Sequence, residues 1–222
     1  MPLATPESLQ TYDRFLAEAG PDRLQKILAR YELFKMASTV PGDIVECGVF
    51  KGSGVYLWAK LLCLFAPLSE RRVVGFDFFD ADRSIDFARA DDQTVLDEHA
   101  EGWTQTGEIV DRVTAMGLDA ERIELVAGDV CRTTAEYVRA NTGFRISLLH
   151  LDVDNYEGTK AILENLYPCV TPGGVVVFDE YGLRTYGEAD AVDEFFGPGV
   201  RLQTIPWANT PTAYVVKGDE RR

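Results

Sequence analysis

Basic residues are in short supply in this chain: 22 Lys and Arg face 36 Asp and Glu among 222 residues, for a formal charge of −14. A surface of that sign repels phosphate backbones and anionic lipid, and no basic patch offsets it, so neither nucleic acid nor membrane is an expected partner. Histidine is scarcer still, with only His99 and His150. The four cysteines, Cys47, Cys63, Cys131 and Cys169, stand far apart and form no C-x-x-C pair. That spacing suggests neither a zinc site nor a disulfide framework, and idle thiols in a reducing cytosol are expected. The opening MPLATPESLQ has no basic segment followed by an apolar run. The longest apolar stretch, around Leu61 to Leu68, is too short and interrupted to cross a bilayer. A cytoplasmic protein that acts on small molecules is the expectation.

What is present is a chain with 46% hydrophobic residues, enough for a substantial core. The first forty residues read as a helical extension. One helix is expected from about Ser8 to Ala19, ending at Gly20. In the next, Leu24, Ile27, Leu28, Tyr31 and Phe34 recur at helical spacing and predict one apolar stripe. Such a pair would cover a sheet edge, cap a site or form a dimer contact.

From Pro41-Gly42 onward, over residues 41–222, short β-branched runs alternate with helical stretches. DIVECGV, RRVVGFD, RIELVAGD, RISLLHLD and GGVVVFDE read as buried parallel strands, which need helical crossovers on both faces. VRLQTIPW and TAYVVK are joined by a short ANTP loop that allows only an antiparallel hairpin. The predicted fold is a doubly wound α/β domain, a mostly parallel seven-stranded sheet with a reversed terminal strand. Residues 78–105 stand outside the rhythm, acidic with aromatic edges, and read as a lid or substrate loop or as a partly disordered insert.

Ligands of open parallel sheets sit beyond the strands' carboxyl ends. Five predicted strands end there in Glu46-Cys47-Gly48, Asp77, Gly128-Asp129, Asp152-Val153-Asp154 and Asp179-Glu180, which together make an acidic rim. One such residue is often only a cap or turn former. Five are harder to explain that way. The turn after Glu46 carries Gly48, Gly52 and Gly54, where a backbone can approach a ligand closely. Its spacing is E-x-G-x-x-x-G, which lacks the third glycine of the dinucleotide motif, so a nicotinamide oxidoreductase is disfavoured against an adenosine cofactor without a pyrophosphate. Asp77 is then placed to accept from ribose hydroxyls.

PGDIVECGVFKGSG, VVGFD, LLHLDVDNYEGTKAILENLYPCVTPGGVVVFDEY and the reversed terminal strands span most of residues 41–216. With them the chain resembles the class I S-adenosylmethionine-dependent methyltransferases, and more narrowly the macrocin O-methyltransferase family, which methylates sugar hydroxyls of antibiotics and other natural products. The resemblance implies cofactor contacts at Glu46, Gly48, Asp77 and Asp129, with Val49, Gly52, Ser53 and Val130 beside them. It also implies Mg²⁺ held by Asp152, Asp179 and Glu180, a glycosylated small-molecule acceptor and a homo-oligomer. Many members carry two aspartates where this chain has Asp179-Glu180. A catechol or other diol is the alternative acceptor.

Electrostatics points to a cation independently. Two carboxylates about 4 Å apart repel by roughly 4 kcal/mol at an effective dielectric of 20. A cluster therefore needs either a hard divalent ion, given its all-oxygen donors, or a protonated member. Asp152 or Asp154 is the expected catalytic base. His150 is either a packed strand residue or an alternative base, and His99 is not expected to touch substrate. Phe78, Phe79 and Trp103 would stack on an acceptor or anchor packing, and Tyr156 and Tyr181 would pack the rim or bond the substrate.

Overall fold

The computed structural model describes residues 5–79, 81, 87–98 and 104–220. Its strands are β1 (Asp43–Cys47), β2 (Val73–Asp77), β3 (Ile123–Ala127), β4 (Ile146–Leu151), β5 (Val170–Phe178) and β6 (Ala213–Val216). They form one sheet in the order β3-β2-β1-β4-β5-β6. All pairings are parallel except that of β6 with β5. The helices are α1 (Pro6–Glu18), α2 (Pro21–Ala37), α3 (Ser53–Phe65), α4 (Ala90–Glu98), α5 (Thr106–Ala115), α6 (Val130–Ala140), α7 (Tyr156–Leu166) and α8 (Glu188–Phe196). Among the described residues no helix is long and apolar enough to cross a membrane.

Strand side chains alternate between faces, so successive residues feed two separate cores. Val45, Leu149 and Val176 pack with Ile162, Leu163, Val192 and Phe196 under α7 and α8. Their neighbours Ile44, Leu148 and Val175 pack with Leu33, Phe34, Trp58, Leu62 and Ile109 of α2, α3 and α5. Because both faces are covered, the inner strands read as apolar runs and were legible as such, whereas β3, expected to be buried, is a half-buried edge strand that carries Glu124.

Two expectations need correction. The segment predicted as a seventh strand, VRLQTIPW, contributes a single antiparallel bridge, Gln203 to Tyr214. Gln203 N–H donates to the Tyr214 carbonyl at 2.9 Å and Tyr214 N–H returns a bond of 2.8 Å. The chain then turns at Pro206, with Ala208 N–H on the Ile205 carbonyl at 3.0 Å, so the ladder stops after one pair. Among the described residues the sheet thus has six strands, with this segment lying where the seventh was expected.

The apolar stripe of α2 is the second. Leu24, Ile27 and Leu28 are exposed and Tyr31 is half-buried; of the predicted stripe only Phe34 is buried. The buried face instead carries Ala29, Arg30, Leu33, Phe34 and Ala37. This helix is apolar on two sides, and the side that also bears Lys26 and Arg30 turns toward the acidic rim. Leu33, Phe34 and Ala37 of that side join the core, and Arg30 beside them pairs with Asp152 and Glu46.

Candidate active site

The rim is built by extending the parallel ladder past the strand ends. Asp152 N–H donates to the Cys47 carbonyl at 2.8 Å, Asp179 N–H to Leu151 at 3.0 Å, and Gly128 N–H to Asp77 at 2.9 Å. With Gly48 N–H on the Phe76 carbonyl at 2.9 Å, these bonds hold the five acidic strand ends in one layer. They border a cleft of about 650 Å³ at the point where the strand order reverses between β1 and β4. Glu46, Gly48, Val49, Ser53, Asp77, Asp129 and Val130 all line it, as do Asp152, Asp154, Asp179 and Glu180. Gly52, also expected at the cofactor, is instead the left-handed N-cap of α3, with φ of 84°. The N-termini of α6 and α7 reach the same layer, capped by Asp129 on Cys131 N–H and by Asn155 on Gly158 N–H.

Two glycines make the approach possible. A Cβ on Gly48, whose φ is 93°, would lie 1.7 Å from the Asp152 carbonyl oxygen. One on Gly54 would lie 1.8 Å from Glu46 Oε1. Asp77 ties the turn down: its Oδ2 accepts from Val49 and Phe50 N–H at 2.7 Å each, and its Oδ1 from Phe78 N–H at 2.6 Å. Holding this turn is a role of Asp77 that spacing alone did not suggest.

The acids then sort into two groups. Asp152, Asp154 and Glu180 each offer an oxygen within 4.8 Å of the others. Glu180 is 6% exposed, and its Oε2 has no hydrogen-bond partner. Burial pushes its carboxyl well above the usual range, and the charges of Asp152, Asp179, Asp154 and Glu188 add to the shift. An all-oxygen set with an orphaned buried oxygen suits a hard divalent ion, so these residues fit Mg²⁺. Asp154 reaches the group from a left-handed backbone, φ 60°.

Asp179, which the resemblance puts in the metal set, lines the same cleft with both carboxylate oxygens paired. Its Oδ2 lies 2.8 Å from Lys26 Nζ and its Oδ1 3.1 Å from His150 Nε2. Burial works against its charge, yet those cationic neighbours hold it far below the usual carboxylate range. His150 is fully buried in β4, with Nδ1 3.3 Å from Glu46 Oε1 and its ring edge-on to Trp58. Burial and Arg30 press its pKa down, but the flanking Asp179 and Glu46 carboxylates outweigh them and raise it. Both ring nitrogens face carboxylates, which is the position of a packed strand residue bridging two acids.

Four further contributors were not found from the sequence. Lys26 and Arg30 reach the rim from α2. Asp92 of α4 is buried and accepts from Tyr156 N–H at 2.9 Å and Gly187 N–H at 3.0 Å, binding the insert to the loops after β4 and β5. Glu188 is completely buried and accepts from Glu180 N–H at 3.0 Å. Of the aromatic candidates, Phe79 is a packing anchor at 1% exposure, and Phe78 lines the cleft. The hydroxyls of Tyr156 and Tyr181 donate to Glu194 and Asp193 of α8. His99 and Trp103 lie outside the described residues.

The family model described as Macrocin-O-methyltransferase (TylF) matches residues 16–197. The chain belongs to this family. It is accordingly an S-adenosylmethionine-dependent O-methyltransferase. Over 183 residues it is 30% identical to an 8-demethyl-8-(2,3-dimethoxy-alpha-L-rhamnosyl)-tetracenomycin-C 4'-O-methyltransferase of Streptomyces olivaceus, covering 74% of this chain and 67% of that one. It is 28% identical over 162 residues to mycinamicin III 3''-O-methyltransferase of Micromonospora griseorubida, covering 68% of this chain but 59% of the relative. A solved apo TDP-rhamnose 3'-O-methyltransferase of calicheamicin biosynthesis superposes with a TM-score of 0.73 and 31% identity, over 99% of this chain and 89% of that one.

Proposed function

We propose that this macrocin-family enzyme moves the methyl group of S-adenosylmethionine to a sugar hydroxyl of a natural product, assisted by a divalent cation at Asp152, Asp154 and Glu180. The observation that carries the reading is the meeting of that oxygen set with the glycine-rich turn in a single cleft. The relatives named for action on a rhamnosyl-tetracenomycin and on mycinamicin III support a glycosyl acceptor.

In this reading Gly48, Val49, Ser53, Asp77, Asp129 and Val130 hold the donor, with Asp77 at its ribose. Asp152 or Asp154 takes the proton from the acceptor hydroxyl, whose oxygen attacks the methyl group in line as the sulfur leaves. A bound divalent ion would supply the positive charge that lowers the acceptor's pKa. Asp92 fixes α4 beside the cleft, and Phe87 of the insert lines it. The insert thereby limits water at the reacting centre.

The test is S-adenosylhomocysteine release with rhamnosyl glycosides and catechols as acceptors, with and without chelator. Glycoside turnover that chelator stops and Mg²⁺ restores is expected. Asp152→Ala should lower turnover about 10²-fold or more while S-adenosylhomocysteine binding by calorimetry persists. Full activity in that variant, or turnover of catechols alone, would overturn the reading.

A further inference from the structure

Glu188 is the first residue of α8 and is completely buried, a costly place for a carboxyl group. Its Oε1 accepts from Glu180 N–H at 3.0 Å, and its Oε2 has no hydrogen-bond partner. The bond to Glu180 falls where the sheet stops supporting the chain. Asp179 still has backbone partners on both sides: its N–H donates to the Leu151 carbonyl at 3.0 Å, and its carbonyl accepts from Thr212 N–H at 3.0 Å. Glu180 is one step further on, and there the Glu188 side chain supplies the acceptor that a neighbouring strand would otherwise offer. The Glu180 carbonyl meanwhile accepts from Leu183 N–H at 2.7 Å, which turns the chain away from the rim.

Glu188 can hold Glu180 because it is itself held. The N–H of Gly187, immediately before it, donates to Asp92 Oδ1 at 3.0 Å, and Val192 and Phe196 of the same helix belong to the core. Gly187 leaves no slack, since a Cβ there would lie 2.6 Å from Asp92 Oδ2 and 2.7 Å from Tyr156 Cβ. Glu180 is itself buried, so once its backbone is fixed its side chain has little room to turn. We propose that Glu188 is a positioning residue of the transfer reaction: by fixing the Glu180 amide it aims the Glu180 carboxylate at Asp152 and Asp154 and keeps that oxygen set assembled. The proposal rests on the metal-assisted reading above.

The probe is Mn²⁺, titrated into the full chain and followed by the electron paramagnetic resonance of the free ion. Glu188→Gln keeps an oxygen acceptor for the Glu180 amide and should remain near the wild-type affinity. Glu188→Leu removes the acceptor and should weaken Mn²⁺ binding about tenfold or more, as losing the partner of a metal-binding residue does. Hydrogen exchange at the Glu180 amide should accelerate in the same variant, while S-adenosylhomocysteine affinity by calorimetry stays near the wild type. A role in stability alone would lower the unfolding midpoint of Glu188→Leu without moving the Mn²⁺ affinity of the folded protein. That result, or a loss in Glu188→Gln as large as in Glu188→Leu, would overturn the role of Glu188 and leave the metal reading intact. If Glu188→Leu does not fold, Gly187→Ala, which displaces Glu188 without removing it, must weaken Mn²⁺ binding, and an unmoved affinity there counts against the proposal. Absence of binding by the wild type at millimolar Mn²⁺ would overturn the metal reading and this proposal together.

Discussion

Gly48 and the Asp152 carbonyl oxygen occupy a space that a single methyl group would close, because a Cβ at position 48 would sit 1.7 Å from that oxygen. The neighbour is backbone, locked by the Asp152 N–H bond to Cys47, so it cannot swing aside. Gly48→Ala must therefore separate β1 from β4 at the rim, against a φ of 93° that a side chain resists. A loss of about 1–3 kcal/mol or more is expected in denaturant unfolding. S-adenosylhomocysteine affinity should fall with it. An unchanged midpoint would show that the turn adapts.

Arg30 is expected to be worth more to stability than its exposed counterparts. Its guanidinium and the His150 ring share the buried Glu46 carboxylate, at 3.5 Å and 3.3 Å from Oε1. Arg30→Met removes the permanently charged partner, leaves only His150 beside that carboxylate, and should cost about 3–5 kcal/mol. Adding Glu46→Gln should restore part of the loss, because the stranded charge is then gone. Urea unfolding of the single and double variants measures the coupling, and simple additivity would sink the argument.

Asp92 predicts a local rather than a global effect. Asp92→Ala removes the acceptor of two amides, Tyr156 N–H and Gly187 N–H, each at a cost of about 1–3 kcal/mol if left unpaired. Hydrogen exchange at residues 156 and 187 should accelerate together, with faster proteolysis within 87–98. Unaltered exchange at both amides would show that other contacts hold the insert.

Cys131 lines the cleft, yet its thiol should be sluggish. Although the residue is exposed, partial desolvation by its surroundings raises its pKa from the ordinary 9.0 to about 12, with the adjacent Asp129 carboxylate adding to the shift. The thiolate is the reactive form, so a raised pKa lowers its fraction at any pH below 12, and alkylation at pH 8 should be slow. In a Cys63→Ser, Cys169→Ser background the rate should climb about tenfold per pH unit up to that value. A plateau near pH 9 would contradict the assignment.

The strands and their acidic ends were legible because burial on both faces writes an unbroken apolar run, and because chain reversal after each strand calls for polar or glycine residues. What was not legible depends on partners far away in sequence. Lys26 meets Asp179 across 153 positions, and no helical period marks it. The stripe Leu24, Ile27 and Leu28 was the stronger apolar signal and proved to be the exposed side. Asp92 looked like one more acid in an acidic insert, although it is 1% exposed. The terminal hairpin was placed correctly, but Pro206 shortened its outer strand to one pair.

The cleft has nine acidic linings against three basic ones, and this imbalance bears on how a catalytic cycle finishes. The donor's sulfur arrives as a sulfonium cation and departs as an uncharged thioether, so the attraction between the acidic lining and that sulfur is lost at the moment of transfer. Each methyl transfer thus spends the attraction specific to the charged sulfur, and the contacts to the rest of the molecule are what the product keeps.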